Sequence, residues 1–299
     1  HMISYFFFNY IHLILIHCHS ALFIIFSFSC VKEKKTLCGS VSIATDWGDL
    51  PISAGMIFIF YPEPEGTPIQ LDTQADGCSY RLPEGKYKVL LFNNDTRNIL
   101  FKHLDKYELA EASVAPTAKS AQTLGQPDML YGCSIDEITV DAQNPIQSQV
   151  KIKSYVKKIV ANINLSQDGD IKNVSARLKG IAQSISLSDG RPITTETIAD
   201  VEMQSDIRTD GNVSISCTTF GSTPVAADTP PSQTPQTVVE INATYKDDTQ
   251  RTVTADISEV IKQITDNNKN EATIELKDMG LMAIITSWKL GTASASINK

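Results

Sequence analysis

Leu82-Pro83-Glu84-Gly85-Lys86-Tyr87-Lys88-Val89-Leu90-Leu91-Phe92-Asn93 is the stretch on which the fold turns. Pro83 presets φ for a turn, and Gly85 supplies the positive φ that a type II turn requires. Tyr87, Val89 and Leu91 then alternate with Lys88, Leu90 and Phe92, which is the period of a strand. The spacing predicts a hairpin, with residues 78–82 as its first arm. Upstream, Met56-Ile57-Phe58-Ile59-Phe60 is too apolar for a half-exposed strand and suits a central strand of a sandwich. Residues 37–45 alternate through Val41 and Ile43. Pro62-Glu63-Pro64-Glu65-Gly66 breaks the central strand, residues 69–73 form another, and Asp76-Gly77 turns the chain.

Strand signals continue downstream. Residues 99–103 extend the first unit, and residues 104–127 read as a long surface connection with a short helix near 107–112. Met129-Leu130-Tyr131-Gly132-Cys133 and residues 137–140 close that unit. Residues 147–165 are strand-like, with Lys151, Lys153, Lys157 and Lys158 as a solvated face. Residues 174–178, 183–187, 195–204, 213–220, 237–245, 272–276 and 281–288 supply the remaining strands. The proline-rich residues 221–236 form a loop. One helix is expected, over 258–265. Asp256 or Ser258 caps it, and Ile257, Val260, Ile261 and Ile264 share one side. The expected inward set is Ile57, Ile59, Tyr87, Val89, Leu91 and Val160, and Trp288 fills a core.

The amino-terminal part has a different character. From Met2 to Val31 there is no Lys, Arg, Asp or Glu, and residues 3–29 are almost continuously apolar. A run of roughly 20 such residues matches the hydrocarbon core of a bilayer. Three readings compete: a lipoprotein signal, an uncleaved membrane helix, and an ordinary cleaved secretory peptide. Cys30, after the small Ser29, is the candidate lipidation residue. Cys18 is a worse candidate, because His17 precedes it and apolar sequence follows. The expected division is a signal over 1–29, a tether over 30–36, one β-sandwich over 37–146 and a second over 147–299.

Composition excludes several functions. The chain carries a net charge of -8 and no basic stripe, which argues against nucleic acid. Four of its five His fall in the amino-terminal segment, leaving His103. That removes His-rich zinc sites and weakens any Ser-His-Asp proposal. Cys38, Cys78, Cys133 and Cys217 show no C-x-x-C spacing and leave pairing open. No phosphate-binding, dinucleotide or hydrolase signature occurs. Asp46 with Asp49, and Asp247 with Asp248, sit in turn-like contexts, and Asp168-Gly169-Asp170 lacks the rest of a calcium loop. No catalytic residue, metal site or cofactor is expected.

With these residues in hand, the chain resembles the fimbrillin-like lipoproteins of Bacteroidales, close to the anchor subunits of their fimbriae. The resemblance rests on Trp47-Gly48 after the first strand, the stretch from Leu82 to Asn93, Met129-Leu130-Tyr131-Gly132, and residues 174–187 with their Leu178-Lys179-Gly180-Ile181-Ala182 centre. The Pro-x-Gly-x-Tyr form also recurs in transthyretin-like sandwiches. The resemblance implies an all-β protein of two tandem transthyretin-like β-sandwich domains, with the short helix in the second. It also implies export to the outer membrane, a lipid anchor on Cys30, display at the cell surface, and fimbrial subunits as partners. In that family stalk subunits are cleaved after a basic residue, commonly Arg. The first Arg here is Arg81, deep inside the first domain, which favours an uncleaved anchor. The expected function is therefore non-enzymatic anchoring or assembly of a fimbria-like filament by β-strand addition. Residues 281–288 are the favoured mobile strand and residues 37–45 the other candidate. A glycan-binding surface lipoprotein is the alternative, and a sandwich-fold glycosidase the third.

Overall fold

Alternating apolar and polar residues become strands almost throughout. The computed structural model describes residues 36–118, 120–165, 170–193, 199–208, 211–224, 236–267, 269–280 and 282–291. In chain order the strands are β1 (Cys38–Asp46), β2 (Met56–Glu63), β3 (Ile69–Thr73), β4 (Gly77–Pro83), β5 (Gly85–Asn93), β6 (Ile99–Lys102), β7 (Glu111–Val114), β8 (Pro116–Thr117), β9 (Ser120–Leu124) and β10 (Tyr131–Val140). They continue as β11 (Ile146–Lys151), β12 (Lys153–Ser154), β13 (Lys157–Asn164), β14 (Ile171–Ile181), β15 (Ser184–Ser186) and β16 (Ala199–Ile207). The last are β17 (Asn212–Thr219), β18 (Val238–Tyr245), β19 (Gln250–Asp256), β20 (Glu271–Asp278) and β21 (Ala283–Gly291). A 3₁₀ turn spans Tyr107–Leu109, and the α-helix, α1, spans Ser258–Asp266 between β19 and β20.

Two sheets make the first sandwich. One has the order β11-β1-β4 and the other β12-β10-β5-β2-β3. Val41 and Ile43 of β1, with Leu82 of β4, face Phe58, Phe60, Val89 and Leu91 across a dry core. Trp47, Leu82 and Tyr131, three of the resemblance residues, meet there, while Leu178 and Ile181 enter the second core. Trp47 donates its indole N–H to the Ala75 carbonyl at 2.8 Å and packs edge-on against Tyr131, centroids 5.6 Å apart. Gly132 is obligatory, since a Cβ would lie 2.5 Å from the Leu91 carbonyl oxygen.

The stretch from Leu82 to Asn93 is a corner and not a hairpin. β4 pairs with β1 in one sheet, whereas β5 pairs with β2 and β10 in the other. Gly85 has the positive φ expected of it, but at 153° it is far from the +80° of a type II turn. Each arm feeds a different layer of one core, β4 through Leu82 and β5 through Tyr87, Val89 and Leu91. The Tyr87 hydroxyl donates to the Pro83 carbonyl at 2.9 Å and pins the crossover, as tyrosine corners do in other sandwiches.

The expected central strand is central in a stronger sense, because the β5-β2 pair is buried on both faces. Phe58, Phe60, Val89 and Leu91 enter the first core, while Ile59, Tyr61, Leu90 and Phe92 enter a second, larger one. Buried residues between 99 and 130, Leu124 and Leu130 among them, cover that second face, so the surface connection expected over 104–127 is partly interior, while Lys106, Glu108 and Leu109 stay exposed. Phe101 stacks on Phe92 at 4.5 Å, Tyr107 meets Tyr61 edge-on at 5.6 Å, and Ala110, Ala112 and Val114 are buried. Its Ala and Ser content reads as loop in sequence but here reflects close packing against a sheet. β7 pairs with β6 on one side and with β15 on the other, and β9 runs parallel to β16.

The second sandwich follows the path β19-β18-β14-β16-β17-β13-β20-β21, and a single bridge, Thr254 to Met282, brings its two end strands together. Helix α1 fills its interior with Ile257, Val260, Ile261 and Ile264. The N-cap is Ile257, which has no side-chain cap bond, so neither expected residue occupies that position; Asp256 accepts the Ser258 N–H at 2.9 Å in the turn that leads into the helix. β11 runs parallel to β1 and β12 pairs with β10, so strands beyond residue 147 belong to the first sandwich, and the chain changes over at Tyr155 and Val156. That kink shifts the strand phase by one. Ile159, Ala161 and Ile163 point inward, and Val160 is only half-buried. Lys157 is likewise buried instead of solvated, at 6% exposure. β19 was not expected, since its small Thr and Ala residues weaken the apolar signal.

Candidate functional site

A protein that works by pairing strands needs an edge that can open. β1, one of the two terminal candidates, is central in its sheet. It is paired from Val41 to Asp46 with β11 and from Cys38 to Ala44 with β4, and Val41 and Ile43 are each 1% exposed. Removing it would break two ladders and open a core.

β21 is held differently. It pairs with β20 from Glu271↔Gly291 to Asp278↔Ala283, with a register shift between Glu275 and Leu276. On its other side β19 lies alongside, and among the described residues the only backbone pairing there is the bridge from Thr254 to Met282, just before the strand. Such an edge presents backbone donors and acceptors to a further strand. Its apolar residues are poorly covered. Ile285 and Leu290 pack only partly against the core, and Ile284 is exposed. Trp288 stands opposite the fully buried Ile274, on the inward side, yet is 40% exposed. The expectation that Trp288 fills a core therefore fails, because no strand beyond β21 covers it among the described residues. Met279 and Met282 add exposed apolar surface at the β20-β21 turn.

A charged latch holds this turn. Arg251 of β19 pairs with Asp278 at the end of β20, and its Nε donates to the Gly280 carbonyl at 3.1 Å. Asp278 also accepts the Gly280 N–H at 2.9 Å. The side chains are 18% and 1% exposed. Sequence reasoning missed the latch, because 27 residues separate the partners; the Thr-Val-Thr-Ala alternation of β19 was the available signal.

Other expected groups serve turns. Asp46 accepts the Gly48 N–H at 3.0 Å, and Asp247 accepts the Thr249 N–H at 3.0 Å. Asp49 stays in its loop, and Asp248 pairs with Lys172 at 2.5 Å. Among the described residues Cys38, Cys78, Cys133 and Cys217 form no disulfide, and burial pushes Cys78 up to about 11 and Cys217 up to about 12. Burial also pulls the Lys157 ammonium down to about 8. Among the described residues no group of three or more His, Cys, Asp or Glu could hold a metal, and no helix is long and apolar enough to cross a membrane. Cys30, with the rest of residues 1–35, and Asp168-Gly169 lie outside the described residues.

Comparison with known proteins agrees with this architecture. A protein of Bacteroides ovatus named "Putative fimbrium anchoring subunit Fim4B" is 24% identical over 162 residues, covering 51% of this chain and 49% of its own. The chain thus spans about half the length of that curated relative. A crystal structure titled as a putative adhesin from Bacteroides ovatus superposes with a TM-score of 0.61 at 20% identity, covering 79% of this chain and 87% of that one. The fimbrial anchor protein Mfa2 of Porphyromonas gingivalis gives 0.57 at 10% identity, covering 84% and 96%. At such identities the likeness shows the fold alone, a mainly β one as expected. The family described as "Domain of unknown function (DUF5119)" matches residues 29–203, more than half of the chain, and the chain belongs to it.

Proposed function

We propose that this protein is a non-enzymatic, cell-surface subunit of a fimbria-like filament, anchored in the outer membrane by a lipid on Cys30 and joined to other fimbrial subunits by β-strand addition. The names of its relatives, a fimbrium anchoring subunit and a fimbrial anchor protein, support the role. The observation that carries the mechanism is the one-sided ladder of β21 beside the two-sided ladder of β1. β21 leaves at the cost of one ladder and little buried surface, exposing β20 to a partner's strand. The exposed aromatics Tyr80 and Trp288 stand on different sheets, so nothing gathers them into a glycan platform.

The test is to lock the strand. Thr273 and Lys289 are opposite each other in the β20-β21 ladder, away from its register shift. A Thr273→Cys, Lys289→Cys disulfide should abolish filament retention on cells under oxidising conditions, with recovery on reduction. Retention unchanged by the cross-link refutes opening of β21.

A further inference from the structure

A cavity of about 330 Å³ lies where the first sandwich meets the loop after β15 and the end of α1. Seven of its ten lining residues carry polar or charged side chains, and the rest of the lining, Cys133, Tyr155 and Gly190 with the side-chain stems, is apolar. Lys157 is a buried member of the lining and the first residue of β13. Its Nζ donates to the carbonyls of Ser154 at 2.9 Å and Lys269 at 3.0 Å. An ammonium has three donors, so one remains. No carboxylate pairs with it among the described residues. A buried charge without a counter-charge is costly, and the cavity is the place from which one can come.

The rim adds positive charge. Lys153 is exposed and forms no ion pair among the described residues. Arg191 is 85% exposed and holds Asp189 only loosely, Nε to Oδ2 at 3.9 Å. Asp189 is the one carboxylate in the lining, and its Oδ1 already accepts the Arg191 N–H at 3.0 Å. Three cations therefore face a single, partly committed acid.

We propose that this cavity binds a small organic carboxylate the size of one acidic sugar residue, with its carboxyl group toward Lys157 and between Lys153 and Arg191. The volume suits a single such residue, and the mixed lining suits a hydroxylated body with an apolar ring face. The buried Lys157 and the exposed rim cations suit one negative charge. This binding is separate from strand addition at β21 and does not depend on it.

The experiment is calorimetric or NMR titration of the purified full chain with D-glucuronate and N-acetylneuraminate, with D-glucose, sulfate and triglycine as comparisons. The expected result is saturable binding of at least one sugar acid, none of glucose, and at least tenfold weaker binding by Lys153→Ala/Arg191→Ala. Both rim residues are exposed, so that variant keeps the fold. Lys157→Met should abolish binding in protein whose thermal transition remains cooperative. Absence of sugar-acid binding, equal binding of glucose or sulfate, or an unchanged affinity in the rim variant overturns the proposal. Tighter binding of triglycine than of either sugar acid also overturns it, and assigns the cavity to a peptide end.

Discussion

The latch at the β20-β21 turn yields the sharpest quantitative expectation. Arg251→Met keeps the aliphatic stem but removes the guanidinium that faces Asp278, whose side chain is 1% exposed. The stranded carboxylate keeps only the Gly280 N–H. Breaking a buried pair from one side costs about 3–5 kcal/mol, because the remaining charge is uncompensated. Lys262–Asp266 on α1 is the internal comparison: an i,i+4 pair with side chains 66% and 54% exposed, for which Lys262→Ala should cost no more than about 0.5 kcal/mol. Replacing both latch residues, as Arg251→Met/Asp278→Leu, should restore most of the loss, since no charge is left in the seam. The assay is urea unfolding followed by circular dichroism, with the midpoint and slope compared across the four proteins. If Arg251→Met lies within about 1 kcal/mol of the parent, or if the double variant is no better than the single, the pair is not desolvated as described.

Four further outcomes are expected. Lys157 has its ammonium pulled down to about 8 by burial, from an ordinary 10.5, so the unfolded chain binds more protons between those values. The parent should gain up to about 3 kcal/mol relative to Lys157→Met between pH 8 and 10.5, and a flat difference curve would refute the burial. Ile264→Ala, at a fully buried position of α1, should cost about 2–5 kcal/mol in the same urea assay. Tyr87→Phe should cost about 1 kcal/mol through the lost bond to the Pro83 carbonyl, and a neutral result would deny the corner its role. Cys30→Ala should release the protein from membranes; a variant that still fractionates with membranes and retains its apolar segment would favour an uncleaved helix.

What the sequence determined by itself was whatever depends on near neighbours. The 3.6-residue spacing of Ile257, Val260, Ile261 and Ile264 placed α1 to within a residue, because an amphipathic helix is set by its own side-chain period. Two-residue alternation located nearly every strand for the same reason. Only the tertiary structure decided which strands pair. β4 and β5 look like hairpin arms because a corner and a hairpin share turn residues, and only the layers they enter tell them apart. The Ala-rich residues 99–130 look like loop because close packing against a second sheet face favours small side chains, as solvent does. Val160 was misassigned when the kink at Tyr155 and Val156 reset the strand phase by one residue. Lys157 and Arg251 resemble surface cations until distant segments, around Lys269 and Asp278, fold over them and remove the water. The openness of β21 is also a tertiary property: among the described residues the sheet path ends there, with the Thr254–Met282 bridge as its one backbone pairing toward β19.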